Sequence, residues 1–277
     1  MLKHLDITVL VENQPAGRGL LGEHGIAFHL RADGRDVLFD TGQGLTLTHN
    51  ADLLGIDLSG LEAIVLSHGH YDHTGGLPQV LARCGAVEMF LHPEALRPKF
   101  NREGKDIGAP TASIAALGHA RRVHATEKPT EIIPGLFVTG PVPRRNDFED
   151  TGGPFYCDTH KQEEDTLPDD QAIYAVLPEG VVVILGCCHA GVVNTLEYIS
   201  ELTGGLPIHA VIGGTHLLRA DDERLAHTAG LLETLDVRVL APNHCTGLNA
   251  QCYLRSRFPD RFVEAPAGKC FRFGDTA

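Results

Sequence analysis

No stretch of this chain is apolar for long. The first thirty residues carry polar and charged positions throughout, so the uninterrupted apolar core of a secretory signal is missing, and no later run approaches the ~20 residues of a membrane-spanning helix. This predicts a cytoplasmic protein with no membrane partner. Cations are also scarce, with 23 Lys and Arg against 36 Asp and Glu for a formal charge of −13. No basic cluster interleaved with aromatics offsets that charge, and so anionic a surface repels a phosphate backbone, which argues against nucleic acid and leaves a small-molecule substrate as the expected partner. Nothing in the sequence specifies an oligomeric state. Cysteine is present seven times but never as a Cys-x-x-Cys pair, which disfavours a disulfide framework and predicts mostly buried thiols in a reducing compartment. The adjacent Cys187 and Cys188 stand apart from the rest because they immediately precede His189.

What is present is an ordinary core supply, 43% hydrophobic with 21% charged, and an unusual sixteen histidines. Apolar runs predict strands at Leu5 to Val11, Ile26 to Leu30 and Val37 to Phe39, with Asp33-Gly34 as the turn between the last two. A helical stretch near Asn50 to Leu54 precedes Ala63-Ile64-Val65-Leu66, a short run of the kind buried on both faces. Leu77 to Arg83 reads as helix and Val87 to Leu91 as strand, after which Gly104, Gly108 and Pro110 break the pattern. The segment 97–120 is therefore read as an irregular insertion over the site. The second half shows strands at Gly135 to Thr139, Ala172 to Leu177, Val181 to Leu185, Ala210 to Ile212, Val237 to Leu240 and Lys269 to Phe273. Its helices are expected at Val193 to Leu202, Arg224 to Leu235 and Ala250 to Phe258. Two similar halves with no linker between them predict a single α/β domain over 1–277, built as two packed sheets flanked by helices.

The segment Ser67-His68-Gly69-His70-Tyr71-Asp72-His73-Thr74-Gly75-Gly76 places three imidazoles and a carboxylate within six residues, immediately after a buried strand. Imidazole nitrogen and carboxylate oxygen suit zinc, iron or manganese. In an extended turn His68 and His70 point the same way, while Asp72 and His73 turn toward a second position. A polar surface loop with chance histidines is the competing account, and the strand before and Gly-Gly after weigh against it. The other histidines have no such context, and a lone imidazole is more often structural than a ligand.

His-x-His-x-Asp-His after a strand resembles the signature of the metallo-β-lactamase superfamily, and Asp40-Thr41-Gly42 resembles the strand-end motif that precedes it there. Within the superfamily the chain is similar to the dihydropteroate-synthase-like branch, which includes an enzyme of methanopterin synthesis. The matching stretches span nearly the whole chain: Gly22-Glu23-His24-Gly25, Leu38 to Gln43, Gly186 to Gly191, Ile212 to Leu217 and Asn243 to Gly247. The resemblance implies a four-layer αββα sandwich of two mixed sheets. It also implies one or two divalent ions, zinc first and iron or manganese as alternatives, held by His68, His70, Asp72, His73, His189 and His244. Much of the superfamily has Gly-Asp where this chain has Gly186 followed by Cys187, Cys188 and His189, which leaves the number of ions open.

His68, His70 and His189 are expected around one ion, with Asp72, His73 and His244 around a second ion or an attacking water. Asp72 is the expected catalytic proton acceptor, and His216, in a Gly-Gly-Thr-His turn, a ligand, substrate contact or supporting donor. Asp40 is expected to orient ligand imidazoles, Arg144 to grip a phosphate or lie in solvent with Arg145, and Glu23 and His24 to face solvent. The implied chemistry is hydrolysis of a small phosphorylated, ester or pterin-like substrate by metal-activated water. Condensation of a dihydropterin, as in the methanopterin branch, and non-catalytic metal-dependent pterin binding are the alternatives.

Overall fold

The computed structural model describes residues 1–274. In chain order the elements are β1 His4–Val11, β2 Ala27–Ala32, β3 Arg35–Phe39, α1 Leu47–Leu54, β4 Leu61–Val65, the single turn α2 Tyr71–Thr74, α3 Leu77–Cys84, β5 Glu88–Leu91, α4 Thr111–Ala116 and β6 Arg122–Ala125. They continue with β7 Thr130–Ile133, β8 Leu136–Val138, β9 Ile173–Leu177, β10 Gly180–Leu185, α5 Val192–Leu202, β11 Ile208–Gly214, α6 Asp222–Thr234, β12 Val239–Asn243, α7 Leu248–Arg257 and β13 Cys270–Gly274.

One sheet runs β13-β1-β2-β3-β4-β5-β6 and the other β12-β11-β10-β9-β8-β7. Both are mixed. β3 to β6 are parallel in the first, β10 to β12 are parallel in the second, and the remaining pairs are antiparallel. The alternation of side chains along each strand explains the layering. In β10, Val182 and Ile184 enter the core between the sheets, while Val181, Val183 and Leu185 enter a second core against α5, α6 and α7. In β4, Ala63 and Val65 face the other sheet and Ile64 packs with α1 and α3. Burial on both faces is why these strands read as continuous apolar runs. The result is the expected four-layer αββα sandwich.

Three local expectations change. The strand expected at Val237 to Leu240 lies at Val239–Asn243, because its parallel pairing with β11 continues to Asn243 opposite Gly214. Edge strands β6 and β7 gave no signal, β6 because it is largely exposed and β7 because it is four residues long with Ile133 alone buried. The segment 97–120 is two things. Its second part is α4 followed by a tight helical turn, with Ala116 in the outer core against the first sheet. Its first part does lie over the site: Phe100 bridges to Asp106 and Tyr156, and His70 to Gly108.

Phe28 and Phe39, both fully buried, stack at 6.4 Å between the sheets. Phe39→Ala should destabilise the fold by about 3–5 kcal/mol, read as a lower urea midpoint at unchanged slope. A loss below about 1 kcal/mol would show that the two sheets close over the void.

Candidate metal centre

Parallel strands end at the same edge of a sheet, and in this chain five of those ends meet. Asp40 follows β3, Ser67 and His68 follow β4, Cys187 to His189 follow β10, His216 follows β11 and His244 follows β12. The backbone turns sharply at most of them: Asp40, Cys188, His216 and His244 have φ of 59°, 60°, 48° and 48°. That left-handed conformation is costly for non-glycine residues and clusters where a site needs it. Two glycines permit the close approach. A Cβ on Gly69 would stand 2.1 Å from the Ala95 carbonyl oxygen, and one on Gly186 2.2 Å from Ser67 Oγ.

Hydrogen bonds fix which imidazole nitrogens face inward. Asp40, fully buried, accepts from the Ser67 amide (2.7 Å), from Ser67 Oγ (2.7 Å) and from His73 Nδ1 (2.7 Å). With its hydroxyl proton committed to Asp40, Ser67 Oγ accepts from His68 Nδ1 at 2.9 Å. The Thr151 carbonyl accepts from His189 Nδ1 at 2.7 Å. Asn13 Oδ1 lies 3.2 Å from His244 Nδ1. Each ring thus turns its Nε2 lone pair inward. The Nε2 atoms of His70, His189 and His244 are buried without a hydrogen-bond partner, and His68 Nε2 stands 2.8 Å from His70 Nδ1. His244 Nε2 lies 3.5 Å from Asp72 Oδ2. Two acceptors that close repel unless a cation lies between them, so the donor set fits a divalent ion.

Ligand-type atoms fall into three overlapping groups, each spanning no more than 4.8 Å: His68, Cys187 and His189; His73, Cys187 and His244; and His24, Asp72 and His244. These groups contain five of the six residues expected to hold metal, and the sixth, His70, stands beside them with its Nδ1 2.8 Å from His68 Nε2 and its own Nε2 unpartnered. Cys187 and His24 were missed as members. Cys187 had the signal of preceding His189, whereas His24, exposed as expected, nevertheless reaches Asp72 Oδ2 at 3.2 Å from the rim of the cleft. Glu23, also expected in solvent, is instead buried and accepts from the Gln43 and Leu45 amides at 2.8 Å each, clasping the turn after β3. Arg144 does not line the cleft, because its guanidinium donates to the His189 carbonyl at 2.6 Å and braces that loop from behind. Arg145 pairs with Glu201. The cleft cation is instead Arg219, which has no ion pair among the described residues, and Arg102 is a further rim cation, paired with Glu103.

Burial first, and then the mutual repulsion of neighbouring imidazoles, holds His68 and His189 well below the usual histidine range. Burial does the same to His70 and, more mildly, to His244, although Asp72 opposes it at both. His216, burial again dominant and Arg224 adding to it, is pushed down to about 4. His73 runs the other way. Burial would lower it, but the charges of Asp40 and Asp72 together raise it to about 9. Burial alone would raise Asp72, and the imidazoles of His73 and His244 together hold it well below the carboxylate range.

The cleft, about 450 Å³, is lined above the histidines by Tyr71, Ile107, Phe155 and Leu218. Phe155 packs on His70 and His189 with ring centres 5.3 and 5.6 Å away. Its loop is tied down by Glu149, which accepts from the Val193 and Asn194 amides at the start of α5. The opposing loop is anchored by Lys99, 1% exposed, which donates to Asp165 (2.9 Å) and Asp169 (3.0 Å). Asp169 in turn accepts from the Gly69 amide at 2.8 Å, between two of the histidines.

A cleft floored by inward-facing imidazoles at the mouth of an αββα sandwich defines a metal-binding enzyme class. The family model for the metallo-beta-lactamase superfamily matches residues 26–244, and the chain belongs to that superfamily. Its members typically bind divalent metals. The chain is 29% identical over 267 residues to the 7,8-dihydropterin-6-methyl-4-(beta-D-ribofuranosyl)-aminobenzene-5'-phosphate synthase of Methanocaldococcus jannaschii, covering 91% of this chain and 90% of the relative. It is 31% identical to MJ0448, an uncharacterized protein of the same organism, over 95% and 98% of the two chains. Among solved structures it is similar to Tm1679, a metal-dependent hydrolase of the beta-lactamase superfamily, at 32% identity and a TM-score of 0.85, covering 98% of this chain and 100% of that one. No helix among the described residues is long and apolar enough to cross a membrane.

Two outcomes are expected. Asp40→Ala should weaken metal affinity about 10- to 100-fold in competition with a chromophoric chelator, because His73 and Ser67 lose their common acceptor; unchanged affinity would deny that support. In chelated protein the imidazoles of His68, His70, His189, His216 and His244 have folded pKa values below the ordinary 6.5. As pH falls below about 6.5 the unfolded chain takes up protons first, so the stability they contribute is lost progressively, that of His216 down to about 4. His73 has the opposite sign: its contribution is complete below about 6.5 and lost as pH rises through about 9. The urea midpoint should therefore decline from about pH 7 to about pH 5, and a flat profile would contradict the buried neutral imidazoles.

Proposed function

We propose that the chain is a metal-dependent hydrolase acting on a small phosphorylated, ester or pterin-like substrate. The observation that carries this reading is the set of buried, unpartnered Nε2 atoms of His70, His189 and His244, residues that line the floor of an open cleft together with Asp72. His68, His70 and His189 would hold one ion, and Asp72, His73 and His244 a second, with zinc the first expectation. A divalent ion there supplies Lewis acidity, polarising a phosphoryl or carbonyl oxygen and making water acidic enough to react near neutral pH.

The chain's own residues do the rest. Asp72, kept ionised by the imidazoles around it, accepts a hydrogen bond from the attacking water and aims it. His216, pushed down to about 4, is neutral at working pH and offers the leaving oxygen a hydrogen bond without a charge. Arg219 at the rim supports an anionic group on the substrate, and Phe155 supplies an apolar wall that a flat ring would cover. A phosphorylated aromatic or heterocyclic molecule satisfies both features.

The similarity to the pterin-pathway synthase over 91% of this chain supports a second reading, condensation of a dihydropterin diphosphate with an aminobenzene ribofuranosyl phosphate at the same cleft. Metal-loaded protein should be assayed on phosphomonoesters, phosphodiesters, esters and lactones, and on the condensation pair with diphosphate release as the readout. Hydrolysis that falls about 10²- to 10⁴-fold in Asp72→Ala with at least the ion of His68, His70 and His189 retained supports the first reading. Diphosphate release with a coupled product supports the second, and no turnover of either kind removes both. Elemental analysis of His189→Ala should show the loss of one ion per chain; unchanged content would remove His189 from the site.

A further inference from the structure

The geometry points to Cys187 as a sulfur ligand shared between two metal positions. The inference rests on the reading that this cleft holds metal, and deepens it by naming the group that joins the two half-sites and the class of ion that they select.

Cys187 and His244 each belong to two of the ligand groups, but only Cys187 joins the group of His68 and His189 to that of His73 and His244. Its Sγ lies within 4.8 Å of the ligand nitrogens of His68 and His189 on one side, and of His73 and His244 on the other. The contact to His73 Nε2 is 3.2 Å. That nitrogen belongs to a ring whose Nδ1 is already held by Asp40, so Nε2 and the sulfur both turn toward the centre. Cys187 is buried at the base of the cleft that the histidines line.

The two neighbouring thiols are otherwise engaged. Cys188, with φ of 60°, turns away into the core beneath α5, where its Sγ lies 3.3 Å from Thr195 Oγ1. Cys245 donates to the Cys187 carbonyl at 3.4 Å and accepts from the His216 amide at 3.3 Å. Its role is to hold the backbone of Cys187 and His216 together across β10 and β11. Of the three thiols near the centre, only Cys187 stands between the imidazole pairs.

Ligation converts the thiol to a thiolate: the metal–sulfur bond forms, the S–H bond breaks and the proton leaves to solvent. A soft sulfur among imidazoles favours zinc or ferrous iron over manganese or magnesium, which prefer oxygen. The centre is therefore a sulfur-bridged site selective for the softer ions, in which Asp72 completes the half-site of His73 and His244 from the open side of the cleft.

Chelated protein reloaded with cobalt(II) tests this without an activity assay. Wild type should bind two ions per chain and show a near-ultraviolet sulfur-to-cobalt absorption. Cys188→Ser should keep both properties. Cys187→Ser should lose the absorption and at least one ion, and Cys187→Asp, which replaces the bridge with a carboxylate, should recover the ion without the absorption. An absorption retained in Cys187→Ser would overturn the assignment. Should the variants fail to fold by circular dichroism, X-ray absorption of the wild-type zinc form decides the matter. A sulfur shell near about 2.3 Å supports the ligand, and nitrogen and oxygen neighbours alone overturn it. Wild type that binds no cobalt would remove the metal reading itself, a result distinct from cobalt bound without sulfur.

Discussion

The carboxylate of Asp40 is the point on which the rest of this site depends. Sealed from solvent at the end of β3, it receives a backbone amide, a hydroxyl and an imidazole within one bonding sphere. Those three contacts join β3 to the loop after β4 and set the tautomers of His68 and His73 through Ser67 and directly. A buried carboxylate is costly unless its lone pairs are filled. Here filling them requires the His-x-His-x-Asp-His segment to lie in one conformation, so the charge that could destabilise the fold specifies the centre.

The same logic recurs in the second ring of contacts. Lys99 is buried only because Asp165 and Asp169 are, and Asp169 spends its other oxygen on the Gly69 amide. Glu149 and Glu23 each accept two backbone amides, one starting α5 and the other closing the turn after β3. The loops that surround the cleft are thus positioned by buried charges with every partner supplied, whereas the sheets are positioned by apolar burial. An anionic protein acquires a cleft with cations at its rim because its interior carboxylates are consumed in this scaffolding.

The sandwich was legible because its strands are buried on both faces or alternate cleanly, as β10 and β4 do, and because the histidine segment is dense and local. Edge strands β6 and β7 were not legible, since β6 is exposed and carries no apolar pattern and β7 is too short to show one. The helix α4 was hidden in 97–120 among glycines and a proline that belong to its neighbours. At the site, resemblance rather than spacing nominated His189 and His244, and Arg144, read as a phosphate grip or a solvated partner of Arg145, instead donates to the His189 carbonyl outside the cleft. Arg219 and Phe155 gave no signal at all, since an exposed arginine and a lone phenylalanine are commonplace until a fold sets them beside a cleft.

The sequence by itself determined the layer order, through which strands are apolar on one face or both, and it determined the presence of a metal-type ligand run, through three histidines and an aspartate too close together to be a solvent loop. Only the tertiary structure decided which other groups join them. His24, Cys187, His189, His216 and His244 are separated from that run by tens to nearly two hundred residues, and they meet it because parallel strands of two facing sheets end at one edge. Side-chain direction there depends on single left-handed residues and on hydrogen bonds to distant carbonyls, and neither leaves a periodic trace along the chain.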